Sequence, residues 1–268
     1  LIAENGAVLA EEPAYRTGLT VTELDLERLA GERRRMKTFS AFPRPEGYET
    51  VRFDLEPERT QLTRPVERFP FIPDDAGQRK SRCEEILAIQ ANGLRKRIEH
   101  SRAKTAVVGI SGGLDSCLAL LVAVETMDLL QRPRKDVVAV TMPCFGTTSR
   151  TKSNAERLSE KLGVTLRVID IAQAVKVHFE DIGQDAETYD VVFENAQARE
   201  RTQVLMDVAN QTGGLVVGTG DLSELALGWA TYNGDHMSMY GVNASVPKTL
   251  IRHIVRYAAD RSEDQELA

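Results

Sequence analysis

One stretch constrains the fold of this chain more than any other: Ala106-Val107-Val108-Gly109-Ile110-Ser111-Gly112-Gly113-Leu114-Asp115-Ser116, continuing into Cys117-Leu118-Ala119-Leu120-Leu121-Val122. Residues 106–110 form a short apolar run rich in β-branched side chains, the pattern of a parallel strand covered on both faces. Residues 111–113 are a tight turn whose adjacent glycines permit positive φ and leave room beside the backbone. A helix then begins near Asp115. Its first N–H groups lack partners within the helix, and that end carries a partial positive charge, so the turn suits phosphate oxygens.

Two departures from better-known phosphate loops narrow this reading. No Lys-Ser or Lys-Thr closes the loop, as a Walker A loop requires, and its glycines are not spaced as G-x-G-x-x-G. The loop holds a carboxylate instead, Asp115. A carboxylate among phosphates is repelled unless a divalent cation lies between them, and Mg²⁺ bridges both kinds of oxygen. The residues thus suggest a nucleoside triphosphate held through its pyrophosphate with Mg²⁺. The blander alternative is an ordinary Gly-Gly turn before a helix, but Ser-Gly-Gly-x-Asp-Ser in this setting is a demanding pattern. That hexapeptide resembles the pyrophosphate loop of the ATP-pyrophosphatase superfamily. Members of that superfamily cleave ATP between the α and β phosphates and pass AMP to a carboxylate or carbonyl oxygen. It includes NAD, GMP and asparagine synthetases and several tRNA-modifying enzymes, so the remaining segments must choose among them.

Composition removes several classes. The formal net charge is −6, so bulk charge does not invite nucleic acid. No run of about 18 apolar residues and no signal peptide is present. The expectation is a cytoplasmic protein with neither a nucleic-acid nor a membrane partner. Cys83, Cys117 and Cys144 are widely spaced with no C-x-x-C, which argues against a disulfide framework or a zinc site.

Read in order, Asn5-Gly6 between apolar residues signals a hairpin over residues 1–11. Residues 19–24 read as a strand. Asp25 caps a short helix bearing Arg33, Arg34 and Arg35, and residues 48–53 read as a weak further strand. Residues 1–55 hold no complete core of their own. Pro57, Pro65, Pro70 and Pro73 then punctuate a linker over 56–80. The next helix sets Cys83, Ile86, Leu87, Gln90, Leu94 and Ile98 near one face. Beyond the loop helix, strands are expected at 137–140, 164–169 and 215–218. Helices are expected over 151–162 (with Gly163 as its C-cap), from Asp170, over 188–211, and from Asp221 or Ser223. Strands alternating with helices predict an α/β fold, a doubly wound parallel sheet with helices on both faces. Ligands in such sheets bind at the carboxyl ends of the strands, here 111–116, 142–150 and 219–224.

Further candidates lie at those ends. Asn195 and Arg199 are four apart on the long helix and share a face; an amide beside a guanidinium suits a phosphate- or carboxylate-bearing ligand, although such a pair alone is most often a solvated face. Thr219 offers a hydroxyl at a strand tip. Glu224 supplies a second carboxylate opposite Asp115, and it also fits a capping box with Asp221 as N-cap; both roles can hold together. Trp229-Ala230-Thr231-Tyr232 brings the only Trp of the chain close to a Tyr, suited either to stacking on a planar heterocycle or to anchoring a loop. Pro247-Lys248-Thr249 opens the last helix, with Lys248 in reach of a phosphate.

Together these segments resemble the glutamine-dependent bacterial NAD synthetases over nearly the whole chain. The carriers are residues 109–116, 195–201, 218–224, 229–232 and 246–249. The resemblance implies that Gly109, Ile110, Ser111, Gly112, Gly113, Leu114, Asp115, Ser116 and Thr219 bind ATP. It implies Asp115 and Glu224 as catalytic residues that hold Mg²⁺. It also implies that Asn195, Arg199, Glu224, Trp229, Ala230, Thr231, Tyr232 and Lys248 bind deamido-NAD, with Lys248 approaching the phosphates. The implied reaction is ATP-dependent amidation of deamido-NAD through an acyl-adenylate, with ammonia drawn from glutamine, in a homo-oligomer. Residues 1–55 would then be the end of a nitrilase-like glutaminase domain whose Glu-Lys-Cys triad lies upstream of Leu1. Residues 81–268 would be the synthetase domain, with further helices of the family following it. The alternatives are a GMP synthetase-like amidation, a tRNA thiolation using Cys144 as a persulfide carrier, and a nucleotide-binding module without catalysis.

Overall fold

Asn5 and Gly6 adopt φ of +48° and +83°, the left-handed pair that a two-residue hairpin turn demands. Antiparallel strands β1 (Ile2–Glu4) and β2 (Ala7–Ala10) pair across that turn. Asp25 caps α1 (Leu26–Arg35), its side chain accepting from Arg28 N at 2.8 Å, while Asp25 N donates to Glu4 Oε2 at 2.7 Å. Residues 19–24 are not a strand. Leu19 and Val21 are exposed, and no described strand lies beside them to complete a ladder. In this computed structural model the described residues are 1–38, 47, 49, 51–54, 69–145 and 149–262. Residues 51–54 are irregular; Tyr48, Pro57 and Pro65, from the expected strand and linker, lie outside the described residues. The chain divides into two units, Leu1–Arg68 and Phe69–Ala268.

The second unit carries the remaining elements. Asp75 caps α2 (Ala76–Ser101) by accepting from Gln78 N at 2.7 Å. The helix therefore starts within the stretch expected as linker: its first two turns are polar and show no apolar periodicity before Cys83. Then follow β3 (Ala106–Gly109), α3 (Leu114–Leu129), β4 (Val137–Thr141), α4 (Ser149–Leu162) and β5 (Thr165–Val168). After these come α5 (Ala172–Ile182), α6 (Val191–Thr212), β6 (Leu215–Gly218), α7 (Leu222–Leu227), β7 (Tyr240–Gly241) and α8 (Lys248–Asp260).

The sheet order is β5-β4-β3-β6-β7 and every pairing is parallel. Alternate side chains of the central strands face opposite layers. Ala106, Val108, Val137 and Ala139 pack with Leu94 of α2, Leu118 of α3 and Ile251 of α8. Val107, Val138, Val140 and Val216 pack with Val208 and Ala209 of α6. This is the doubly wound α/β arrangement expected from the alternation. The chain moves outward from β3 to β5, then returns to the other side of β3 with β6. The crevice beyond β3 and β6 is thus the point where strand order reverses, the usual ligand site of such sheets.

β7 is absent from the sequence reading, because two residues carry no periodicity. It depends on Gly218: a Cβ there would overlap Ser238 Oγ and lie 2.9 Å from Ser238 Cβ, so the segment leading into β7 can approach only a glycine. Among the described residues, no helix is long and apolar enough to cross a membrane.

Leu94 is fully buried between the sheet and its neighbouring helices. Leu94→Ala is expected to cost about 2–5 kcal/mol, whereas Leu227→Ala at an exposed site should stay within about 0.5 kcal/mol. Denaturant unfolding followed by circular dichroism checks both.

Candidate functional site

The turn after β3 folds on its own hydroxyls. Ser116 Oγ donates to Gly113 O at 3.0 Å, and Ser111 N donates to Ser116 Oγ at 3.3 Å. Gly112 sits at φ +79°, the left-handed conformation that glycine adopts without cost. Gly113, the N-cap of α3, provides no side-chain cap, which leaves the first N–H groups of a 16-residue helix available to an anion. Asp115 lies in that first turn.

The turn after β6 delivers two more carboxylates. Asp221 and Glu224 form a reciprocal capping box: Glu224 N donates to Asp221 Oδ1 at 2.9 Å, and Asp221 N donates to Glu224 Oε2 at 3.1 Å. One carboxylate oxygen from each of Asp115, Asp221 and Glu224 lies within 4.8 Å of the other two. Asp115 Oδ1 and Asp221 Oδ2 are buried and accept no hydrogen bond. Orphaned carboxylate oxygens converging from two loops suit a hard divalent cation, so these residues fit Mg²⁺. Lys248 Nζ pairs with Asp115 and lies 3.5 Å from Asp221 Oδ2. Burial works against the Lys248 charge, but the bond to Asp115 and the charges of Asp115 and Asp221 outweigh it and hold its pKa above the usual value. Burial pushes the Glu224 carboxyl above its usual range; the charges of Asp221 and Asp115 push the same way, against the bond from Asp221 N.

A cavity of about 440 Å³ opens at these strand ends, lined by Ser111, Asp115, Thr141, Arg201, Thr219 and Glu224 among others. Gly109, Ile110 and Ser116 also face it. Gly112, Gly113 and Leu114 line a second cavity, of about 300 Å³, on the α4 side of the loop. The remaining predicted residues are not gathered here. Arg199 is exposed and donates to Tyr232 O at 3.4 Å, while Asn195 is half-buried on the same helix. Trp229 and Tyr232 are 79% and 75% exposed, so the tryptophan is no buried anchor. Ala230 is exposed and Thr231 half-buried in the same loop.

Arg201, Asp235 and Thr141 line the cavity; sequence reasoning gives none of them a role, although Arg201 falls within the 195–201 stretch that carries the resemblance. Arg201 binds Asp235 through two bonds, Nε to Oδ1 at 2.9 Å and Nη2 to Oδ2 at 2.6 Å. A four-residue spacing led to Arg199, whereas Arg201, two residues on, projects from a different side of the helix. Asp221 was legible only as a cap, and burial was the missing signal. No disulfide joins the cysteines. Burial raises the pKa of Cys144, and that of Cys117 to about 11, the direction opposite to that of an activated thiol.

The family model described as NAD synthase matches residues 86–259. The chain belongs to the NAD synthase family. It is 45% identical to the glutamine-dependent NAD(+) synthetase of Mycobacterium tuberculosis, over 98% of this chain and 41% of that protein. The chain thus spans about two fifths of the length of the curated relative it matches. The glutamine-dependent NAD+ synthetase structure from Acinetobacter baumannii, in complex with ADP, aligns with a TM-score of 0.63 and 29% identity, covering 69% of this chain and 35% of that one. The NH3-dependent NAD synthetase of Campylobacter jejuni aligns with a TM-score of 0.59 and 25% identity, covering 66% and 73%.

A raised native pKa means that the folded state binds the Glu224 proton more tightly than the unfolded chain does. This contribution favours folding below the unfolded-state pKa and is lost as pH rises through the folded one. Glu224→Gln should therefore raise Tm in metal-free buffer at pH 7. The difference from the parent should close as pH falls through the Glu224 range, at a pH above the ordinary glutamate value of about 4.3. Thermal melts from pH 4 to pH 8 check this.

Proposed function

We propose that this chain carries the ATP-dependent half of an NAD-forming ligase, which converts deamido-NAD to NAD with ammonia released from glutamine. The observation that carries the reading is the convergence of Asp115, Asp221 and Glu224 on an uncapped helix N-terminus where strand order reverses.

In this reading, a nicotinate carboxylate oxygen of deamido-NAD attacks the α-phosphorus of ATP. The bond from that phosphorus to its bridging oxygen breaks, pyrophosphate leaves, and an acyl-adenylate remains. Ammonia adds to the acyl carbon, a proton is lost and AMP departs with the C–O bond electrons, giving the amide. The chain's part is positioning and charge neutralisation. N–H groups of the 111–116 turn and the α3 terminus take the pyrophosphate oxygens, and Thr219 borders the nucleotide. Asp115 and Glu224 would hold Mg²⁺, with Asp221 beside them; bound there, the cation neutralises charge on the departing pyrophosphate. Lys248 adds a second positive charge at the same place. The exposed rings of Trp229 and Tyr232, with Ala230 and Thr231 between them, offer a surface for the deamido-NAD heterocycles. Asn195 and Arg199 offer polar groups along the neighbouring helix.

The Campylobacter neighbour supports placing ammonia-dependent chemistry in this portion, because it is named NH3-dependent and the chain covers 73% of it. Residues 1–55 we assign to the end of the nitrilase-like glutaminase domain, and the synthetase domain we take to begin with α2 at Ala76, five residues before the expected 81. The protein in this reading is cytoplasmic and homo-oligomeric, with small-molecule substrates and neither nucleic-acid nor membrane partners.

Pyrophosphate release from ATP, Mg²⁺ and an ammonium salt tests the reading in the full-length protein. Release is expected to require deamido-NAD and to yield NAD; release driven by xanthosine monophosphate instead would overturn it. Asp115→Asn should lower the rate by about 100-fold or more, with the far-ultraviolet circular dichroism spectrum unchanged.

A further inference from the structure

We propose that Asn243 is a positioning residue for the carboxylate site. Its side-chain amide joins the two loops that carry Asp115, Asp221 and Glu224, and so sets their spacing. The proposal rests on the reading of that site as the centre that binds ATP with a divalent metal.

Asn243 follows β7 and is 0% exposed. Its Nδ2 donates twice, to Asp115 O and to Thr219 O, both at 3.0 Å. Its Oδ1 accepts from Gln90 Nε2 of α2 at 3.0 Å, and the same Gln90 nitrogen donates to Val242 O at 2.9 Å. Both N–H groups of the Asn243 amide are therefore used, each on a different loop. All three partners fix which way the amide faces, because the flipped form would set Oδ1 against two carbonyl oxygens and Nδ2 against the Gln90 donor.

The position explains why such a link is needed. β3 and β6 are paired only as far as Val108 and Val217, and beyond that pair the two chains turn into separate helices. Asp115 hangs from one of them; Asp221 and Glu224 hang from the other. Like charges within 4.8 Å push these loops apart, and Asn243 bridges them past the end of the ladder. Its turn also holds the start of α7: Val246 N donates to Asn243 O at 2.9 Å, and Leu222 N donates to Val246 O at 3.0 Å. Only an amide serves all three partners. An aspartate would face two carbonyl oxygens with acceptors and add a fourth negative charge.

The test uses the full-length protein with Mn²⁺ as the metal probe, followed by its electron paramagnetic resonance signal in the presence of α,β-methylene ATP. Asn243→Leu keeps the branched shape and the heavy-atom count and removes the link. It should weaken Mn²⁺ binding by about 10–100-fold, the range typical of groups that orient metal ligands. Gln90→Met, which leaves Asn243 Oδ1 buried without its donor and unties the amide from α2, should weaken it in the same direction by a smaller factor. Leu94→Ala, a core truncation on the same helix as Gln90, should lower Tm while leaving Mn²⁺ affinity within twofold of the parent. Parent-like Mn²⁺ affinity in a folded Asn243→Leu protein overturns the proposal. Should that variant not fold, parent-like affinity in Gln90→Met overturns it equally. A parent protein that binds no Mn²⁺ with the nucleotide overturns the reading of the site itself, a result distinct from either.

Discussion

Holding the carboxylates of Asp115, Asp221 and Glu224 within 4.8 Å of one another sets charge against charge, at a cost of about 3–4 kcal/mol per ionised pair for an effective dielectric of about 20. Several features of the fold offset that cost. Asp221 and Glu224 each accept a backbone N–H from the other residue. Both sit at the start of α7, and Asp115 sits at the start of α3, so all three lie at helix ends of positive potential. Lys248 brings a cation from the first residue of α8. Three separate helix starts therefore meet at one point, and the order of the sheet puts them there.

That convergence also shows why a local feature can serve two purposes. The Asp221–Glu224 box closes the first turn of α7 as such boxes do elsewhere, using one oxygen of each carboxylate. Asp221 Oδ2 is left buried without a hydrogen bond. A motif sufficient to start a helix thus presents the same residues as ligands, and neither role displaces the other. The arrangement tolerates little movement, because β3 and β6 are buried on both faces and their ends carry the loops directly.

What the sequence made legible was whatever is encoded within a few residues. The Ser111–Ser116 loop, the strand–helix alternation, the hairpin at Asn5-Gly6 and the capping box are all short-range patterns, and each folds as its residues dictate. Features formed by distant partners were not legible. Asn243 reaches Asp115 across 128 positions, and Gln90 reaches Asn243 across 153; no spacing rule spans such distances. Gln90 belongs by spacing to an apolar helix face, although its purpose there is a hydrogen bond. Residues 19–24 show the opposite error. Leu19-Thr20-Val21-Thr22 alternates as a strand does, but without a neighbouring described strand its backbone groups have no ladder to join. Arg201 was overlooked because helical periodicity assigns faces and not partners, and Asp235 lies 34 positions away.

The exposure of Trp229 has a practical side. It is the only tryptophan in the chain, and 79% of its surface meets solvent. Its backbone N–H is bonded to Glu224 O at 2.9 Å, so the indole stands immediately beyond the helix that bears two of the three carboxylates. Indole emission in water lies at long wavelength and moves toward the blue when the ring is covered. The tryptophan emission of this chain, excited where tyrosine does not absorb, is therefore a single-site optical signal, and whatever covers that ring will be seen directly, without turnover and without a label.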